Sequence, residues 1–481
     1  MKDLINKINS LSKGYEVYAV GGFVRDLLLK RAHTDIDLAV NKNALKFAKA
    51  IEKAFKGKLV VLDDISKTYR VILFNSPIAN IDVSLFTGKT IEADLKNRDF
   101  TVNAFAFKLS DFDDFKKHLL FSDKNALKDL KSKAILPVSN KIFKDDPLRM
   151  LRAFRFSAEL GFKLSKQTLT LIKQNAKLIA KSAPERVKDE FFRVLSSDNS
   201  AKILEIMDKT GLLSEIFSEV KKMKTAPKKF YYHKGGLFEH SFKTYSSVEN
   251  ILNNLKKYFP GNLQDFEIHF AESKNFSQNL NRINLLKFAA IFHDASKPET
   301  ATREKGKVRF FGHEEQGAEK TAAIMRSLKM SKKDIAHVCF LIDNHMRPST
   351  LTKNNAVTNK ASLRFFRDAA DNTPDLLILA MGDWHSYKRL KTHSKAQLSK
   401  QEKAVKKLIK EYYELKNAKP LPKIIDGNII MKEFKLKPGP WIKDIMEIVQ
   451  INQQEGKVSD LKQALKLISL KLPPIKKKYR I

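Results

Sequence analysis

The segment YEVYAVGGFVRDLLLKRAHTDIDLAV (residues 15–40) constrains this chain more than any other. A strand-like run, YEVYAV, meets Gly21-Gly22 and turns into a helical stretch, GGFVRDLLLK, before a second strand, DIDLAV (35–40). Side chains alternate between the faces of a strand, so Asp35 and Asp37 share one face while Ile36, Leu38 and Val40 take the other. Two carboxylates side by side are unfavourable unless a divalent cation neutralises them. Glycines between strand and helix let backbone N–H groups approach an anion, and a helix N-terminus favours phosphate. A phosphate cradle beside a carboxylate pair fits metal-assisted transfer of a nucleotidyl group to a 3′-hydroxyl.

Further strands are expected at KLVVLD (58–63), RVILF (70–74) and NIDVSLF (80–86), and NALKFAKAIEKAF (43–55) reads as a helix. From about residue 141 the pattern is almost wholly helical: PLRMLRAFRFSAEL, SKQTLTLIKQNAKLIA and ERVKDEFFRVL. Pro227 within the polar KTAPKK marks a boundary, and a second helical region, about 230–392, carries nearly all the histidines. The remainder is Lys-rich, with a Pro/Gly break at KPGPW (437–441). At 481 residues the chain is too long for one core. The expected division is an α+β head (1–138), a helical neck (139–222), a helical His-bearing domain (223–392) and a basic helical tail (393–481).

Ninety Lys+Arg against 54 Asp+Glu give a net charge of +36, a field that attracts polyanions such as nucleic acid. Cys339, the single cysteine, excludes an internal disulfide framework and a thiolate zinc cluster, and fits the reducing cytoplasm. No apolar run approaches the roughly 20 residues that span a bilayer. The N-terminus carries an early acid and lacks a signal-peptide apolar region, so no membrane association is expected.

Further signatures follow the first motif in order: DLKNRDFTVNAFAF (94–107), DDPLRMLRAFRFSAELGF (145–162) and SAPERVKDEFFRVL (182–195). Together they resemble class II tRNA nucleotidyltransferases and bacterial poly(A) polymerases, members of the DNA polymerase beta superfamily. The chain departs from that pattern at Asn97, where an arginine is usual, and at Asp145, where a glutamate is. The hinge motif, SDKNALKDL (122–130), lacks its expected glycines. The resemblance implies a polymerase-beta-like palm in which Asp35 and Asp37 hold Mg²⁺, with Asp82 as a third carboxylate. It implies that Gly21, Gly22 and Arg25 line the nucleotide cradle and that Arg98, Asp99 and Asn103 position ribose and triphosphate. Asp146, Arg149, Arg152 and Arg155 fall in its nucleobase-reading motif. On a helix, Asp146 and Arg149 at i,i+3 share a face. A carboxylate accepts and a guanidinium donates, which matches the amino group and ring nitrogen of cytosine and adenine and reverses against guanine and uracil.

His293-Asp294 closes the apolar run LLKFAAIFHDASKP; His240 precedes it, and His313, His345 and Asp383 follow. Imidazoles with carboxylates are a common ligand set for divalent metals. The arrangement resembles an HD-superfamily phosphohydrolase. That likeness implies His240, His293, Asp294 and Asp383 as core ligands of a transition metal or Mg²⁺, with His313 and His345 as extra ligands of its two-metal subgroup. It further implies hydrolysis of a phosphate ester or a 2′,3′-cyclic phosphate, and Lys297 as a phosphate holder. His233, His269, His385 and His393 take no role in this reading, and His33 and His118 read as structural or surface residues.

LPKIIDGNIIMKEFKLKPGPWIKDIM (421–446) is similar to the tRNA-gripping C-terminal segment of HD-bearing relatives, and KLPPIKKKYRI ends the chain with a basic cluster. The expectation is addition of CCA to tRNA from CTP and ATP. CC-only or poly(A) addition are the rivals in class. A phosphohydrolase using its head as an RNA-binding module is the rival outside it. In most CCA-adding relatives a flexible basic loop precedes the arginine-aspartate motif, whereas here only the 11 residues VSLFTGKTIEA separate Asp82 from Asp94.

Overall fold

A computed structural model describes residues 1–63, 67–123, 125–228, 233–271, 276–277, 280–352, 357–387, 394–418 and 421–479. Lys124 of the hinge motif, Lys229 of KTAPKK, His393 and the terminal Arg480-Ile481 lie outside the described residues. The chain forms two compact units, Met1–Lys222 with Ile324–Met330, and Met223–Ala323 with Ser331–Ile481.

In the first unit, β1 (Val17–Val20), β2 (Asp35–Val40), β3 (Lys58–Asp63), β4 (Thr68–Ile72), β5 (Asn80–Leu85), β6 (Phe105–Lys108) and β7 (Leu120–Phe121) form one sheet in the order β3-β4-β5-β2-β1-β6-β7. β2 and β5 run parallel and the other neighbours antiparallel. β6 and β7 were not foreseen, and β4 begins and ends two residues before the expected RVILF. The helix Ala44–Phe55 buries Ala44, Phe47, Ala48 and Ile51, an i, i+3, i+4, i+7 stripe, and packs on β4 and β5. Ile36 and Leu38 face the core while Asp35 and Asp37 stay partly exposed on the opposite face. After the sheet come helices, among them Arg149–Leu160, ended by Gly161 at φ +70°, and Pro184–Leu195, opened by proline at its first turn; these two pack together.

The second unit is built on the helices Leu237–Leu252, Arg282–Phe292, Lys332–Asn344 and Thr373–Ser386. Capping boxes start two of them, Asn281 with Asn284 and Ser331 with Asp334. Gly382 lets Thr373–Ser386 lie against Leu237–Leu252, since a Cβ there would run into Val248. A hairpin, Ala301–Glu304 with Lys307–Phe310, interrupts the helices, in a region expected to be helical. Further along, Trp441–Gln454 and Leu461–Tyr479 share a core of Trp441, Ile445, Val449, Ala464 and Ile468. Among the described residues no helix is long and apolar enough to cross a membrane. The fold is a polymerase-beta-like head followed by a mostly helical remainder.

Two candidate active sites

A cleft of about 880 Å³ in the first unit collects every residue expected in the head site, from Gly21 to Arg155. Parallel pairing sets Asp37 opposite Asp82 and Asp35 opposite Asn80. Asn80 Nδ2 donates to Asp35 at 2.9 Å, and Arg70, the cross-strand partner of Asp82, grips it through two bonds of 2.8 and 2.7 Å. Burial and then Asp82 push the Asp37 carboxyl up to about 6, against the pull of Arg98 and the Phe23 N–H. Gly21 sits at φ +65°, and a Cβ on it would stand 2.7 Å from Arg98 Nη1, so backbone, guanidinium and carboxylate meet only because that residue is glycine.

Arg98 is tied to Asp94 by bonds of 3.0 and 2.9 Å. Asp99 accepts from Arg152, Asn103 and the Phe100 N–H. Burial alone would raise Asp99, but the Arg152 charge and these bonds hold it down to about 2. Arg25 donates to Asn103 at 2.6 Å. Arg155, expected at the nucleotide, has Nε engaged by Glu190 at 2.6 Å and Nη1 by Glu159 at 2.8 Å and lies 4.0 Å over the Phe156 ring.

Asp146 and Arg149 both line the cleft, but the helical i,i+3 geometry expected for them is incorrect. Asp146 is extended (φ −140°, ψ 101°) and the helix begins at Arg149. Pro147 is the cause, because the residue before a proline is driven out of the helical region. A local turn brings the pair together instead: Asp146 Oδ1 accepts from the Leu148 N–H at 3.1 Å and its carbonyl from the Arg149 N–H at 3.1 Å. They do not pair with each other among the described residues; Asp146 meets Arg186 at 3.3 Å, and Arg149 donates to the Asn97 carbonyl at 2.9 Å.

In the second unit the six expected ligands converge. His293 and His345 cap the C-terminal ends of two helices, Asp383 lies near the end of a third, His313 opens a fourth, and His240 projects from Leu237–Leu252. Nε2 of His240, His293, His313 and His345 approach Asp294 at 3.1, 3.3, 3.4 and 3.5 Å, and His240 Nε2 is 3.2 Å from Asp383. Their Nδ1 atoms are anchored elsewhere, on Ser386 or on the carbonyls of Ala290, Phe310 and Ile342. Nε2 of His240, His293 and His313, with Oδ1 of Asp294 and Asp383, are buried without a hydrogen-bond partner among the described residues. Buried orphans that face one another, each ring steadied from behind, are what a cation site requires. Two overlapping sets bring their ligand atoms within 4.8 Å of one another, His240 with His293 and Asp383, and His293 with Asp294 and His345. Lys297, expected on phosphate, donates to Asp294 at 2.6 Å.

Residues without an expected role also enter these sites. Arg70 and Asp94 steady the head's carboxylate and arginine. His233 lies beside His240 with the rings tilted at 36°; burial and the charges of His240 and Lys243 push it down to about 4. The alternation of TYRVI opposite NIDVSL could have revealed Arg70, since cross-strand pairs are neighbours.

Residues 17–136 match the family "Poly A polymerase head domain", 161–224 the "Probable RNA and SrmB-binding site of polymerase A", and 303–468 the tRNA nucleotidyltransferase domain 2. A CC-adding tRNA nucleotidyltransferase of Thermus thermophilus is 29% identical over 460 residues, 93% of this chain and 92% of that protein. An A-adding tRNA nucleotidyltransferase of Deinococcus radiodurans is 26% identical over 452 residues, 92% of this chain and 93% of that one. A solved CCA-adding enzyme in complex with CTP shares the fold, with a TM-score of 0.66 at 22% identity over 98% of each chain. The head-domain match, the full-length relatives and the shared fold together support the class II tRNA nucleotidyltransferase family.

Proposed function

We propose that this chain builds the CCA end of tRNA from CTP and ATP without a nucleic acid template, and that its second unit hydrolyses phosphate esters. One observation carries the first part: a single cleft holds the Asp35/Asp37/Asp82 carboxylates, the Arg98-Asp99-Asn103 cluster and the Asp146/Arg149 pair. An Asp37 carboxyl pushed upward by desolvation and then by its neighbour Asp82 fits a site that takes divalent cations, with Asp35 and Asp37 as their holders. Mg²⁺ bound there would lower the barrier by polarising the α-phosphate and the attacking 3′-hydroxyl. The chain's own residues do the rest. Gly21 and Gly22 leave room for the triphosphate. Asp99 and Arg152 lock each other, and with Arg25 and Asn103 they present fixed polar groups to ribose and phosphates. Asp146 accepts from the exocyclic amine of cytosine or adenine while Arg149 donates to the ring nitrogen. Uracil and guanine reverse both partners, and the unpaired groups discriminate by roughly 10⁴-fold.

In this reading residues 1–138 are the head, 139–222 the neck, 223–392 an HD domain and 393–481 a tail that grips tRNA. The orphaned His and Asp atoms support a metal-dependent phosphohydrolase in the second unit, with His240, His293, Asp294 and Asp383 at its centre and His313 and His345 completing it. A metal there would activate water for attack on phosphorus.

A specific observation favours a second reading, addition of two cytidines and no adenosine. β5 ends at Leu85 and the next helix starts at Ile91, so a short turn stands where most CCA-adding relatives have a flexible loop. That turn is pinned by the Thr87 N–H on Asp94 at 2.9 Å and the Ala93 N–H on Thr90 at 3.3 Å. The test is tRNA ending in CC supplied with ATP alone. One added adenosine establishes full CCA addition. No addition, from protein that extends CCA-less tRNA by two cytidines, establishes the second reading.

A further inference from the structure

We propose that His233 is a phosphate-binding residue of the second site, donating a hydrogen bond from Nε2 to a phosphoryl oxygen of the bound ester. The inference rests on the phosphohydrolase reading and adds a residue outside its ligand set. His233 is 1% exposed. Its ring centroid lies 5.3 Å from that of His240 and 5.2 Å from that of Tyr387, and Tyr387 stacks on His240 at 5.0 Å. His233 is thus part of the wall around the ligand cluster.

The tautomer follows from its partner. Lys243 Nζ is 3.3 Å from His233 Nδ1. An ammonium has donors and no lone pair, so Nδ1 accepts and the ring proton sits on Nε2. Lys243 is held in turn by Glu239 at 2.5 Å, and the other oxygen of Glu239 accepts from the Gly235 N–H at 2.5 Å. Two consequences follow. His233 is no metal ligand, because Nδ1 faces an ammonium and Nε2 carries a proton. Its Nε2–H is a buried donor with no partner among the described residues. A native fold rarely keeps such a donor without a use for it. What it lacks is an acceptor, and the non-bridging oxygens of a phosphate ester held at the neighbouring His-Asp cluster are acceptors only.

The experiment uses the full-length, metal-loaded protein and the variants His233→Phe and His233→Gln. Phenylalanine keeps the packing on Tyr387 and removes the donor; glutamine restores one near Nε2. Three readouts are taken: metal per chain, calorimetric affinity for inorganic phosphate, and KM and kcat for 2′,3′-cyclic AMP. His233→Phe should keep its metal while phosphate affinity falls and KM rises by about tenfold or more, the effect of one charge-assisted hydrogen bond. kcat should change less, and His233→Gln should recover most of the loss. Unchanged phosphate affinity in His233→Phe overturns the inference, as does loss of metal from both variants. If His233→Phe does not fold, Lys243→Met at its half-exposed position tests the same point. It frees the tautomer and should weaken phosphate binding about threefold; no weakening overturns the inference. A wild-type protein that binds phosphate through His233 but hydrolyses no ester refutes the hydrolase reading alone. One that binds no phosphate overturns both.

Discussion

Replacing Asp37 with asparagine should make the metal-free head more stable while removing its activity. Asp37 is half-buried beside Asp82, and its desolvation and then that charge carry it from 3.8 to about 6. A carboxyl raised on folding contributes its full stability below the unfolded value and loses it as pH rises through the folded one. At about pH 7 without metal the ionised group therefore weakens the fold, by about 3 kcal/mol at 1.36 kcal/mol per pH unit. Asparagine keeps the shape and an oxygen for the Phe23 N–H, a bond of 3.3 Å in the native protein. It loses the attraction to Arg98, so the expected net gain is about 1–3 kcal/mol. Both tryptophans, Trp384 and Trp441, lie in the second unit, and their fluorescence would not report on the head. Amide hydrogen exchange over residues 35–40 and 80–85 of the full chain does report on it. In EDTA at about pH 7 those peptides should exchange about 5- to 150-fold more slowly in Asp37→Asn than in wild type. Mg²⁺ should slow exchange in wild type and leave the variant unchanged, and the variant should add no nucleotide. Equal or faster exchange in the EDTA-treated variant refutes the electrostatic argument.

Arg149→Ala should relax base choice, raising the relative kcat/KM for UTP about 10- to 100-fold against CTP while leaving triphosphate binding nearly intact; retained discrimination would show that Arg149 does not read the base. Asp35→Ala should abolish nucleotide addition and spare ester hydrolysis, and His293→Ala the reverse; loss of both activities from either folded variant contradicts two separate sites. Asp375 accepts from His269 at 2.7 Å and Arg282 at 3.1 Å, fully buried. Burial alone would raise it, but His269 and Arg282 among its neighbours hold it below the ordinary carboxylate range, so its stabilisation is present at neutral pH and lost as pH falls through that lowered value. Asp375→Ala, which takes the carboxylate from buried Arg282 and leaves it only the Asp371 carbonyl, should cost about 3–5 kcal/mol in urea unfolding followed by tryptophan fluorescence; a loss under about 1 kcal/mol is the contrary result.

The head was legible where local rules and tertiary context agreed. Alternation in DIDLAV and the glycine pair gave both the strand and the side its aspartates take, because one face of β2 must be buried. FAFK and LF carry too little alternation to stand out, since β6 spans four residues and β7 two. The hairpin at 301–310 was missed for a related reason, since Lys305-Gly306 is a turn signal surrounded by long helical patterns. Asp146 shows a rule overlooked rather than one overridden, because Pro147 already forbade the helix assumed there. The second site's ligands were readable as types in order, but their convergence depends on helix packing that no local pattern encodes. His233 was unreadable for the same reason. Its role depends on Lys243 standing behind it and His240 beside it, three-dimensional neighbours that one-dimensional spacing only partly implies.

The most direct measurement supplies purified wild-type protein with Mg²⁺ and tRNA lacking its CCA end, gives each of the four nucleoside triphosphates singly, and reads products at single-nucleotide resolution. Cytidine should be added from CTP, stopping after two residues, with nothing added from UTP or GTP and nothing at all by Asp35→Ala. Failure to extend with CTP, or extension with UTP as readily as with CTP, contradicts a template-free nucleotidyltransferase whose Asp146 and Arg149 choose the base.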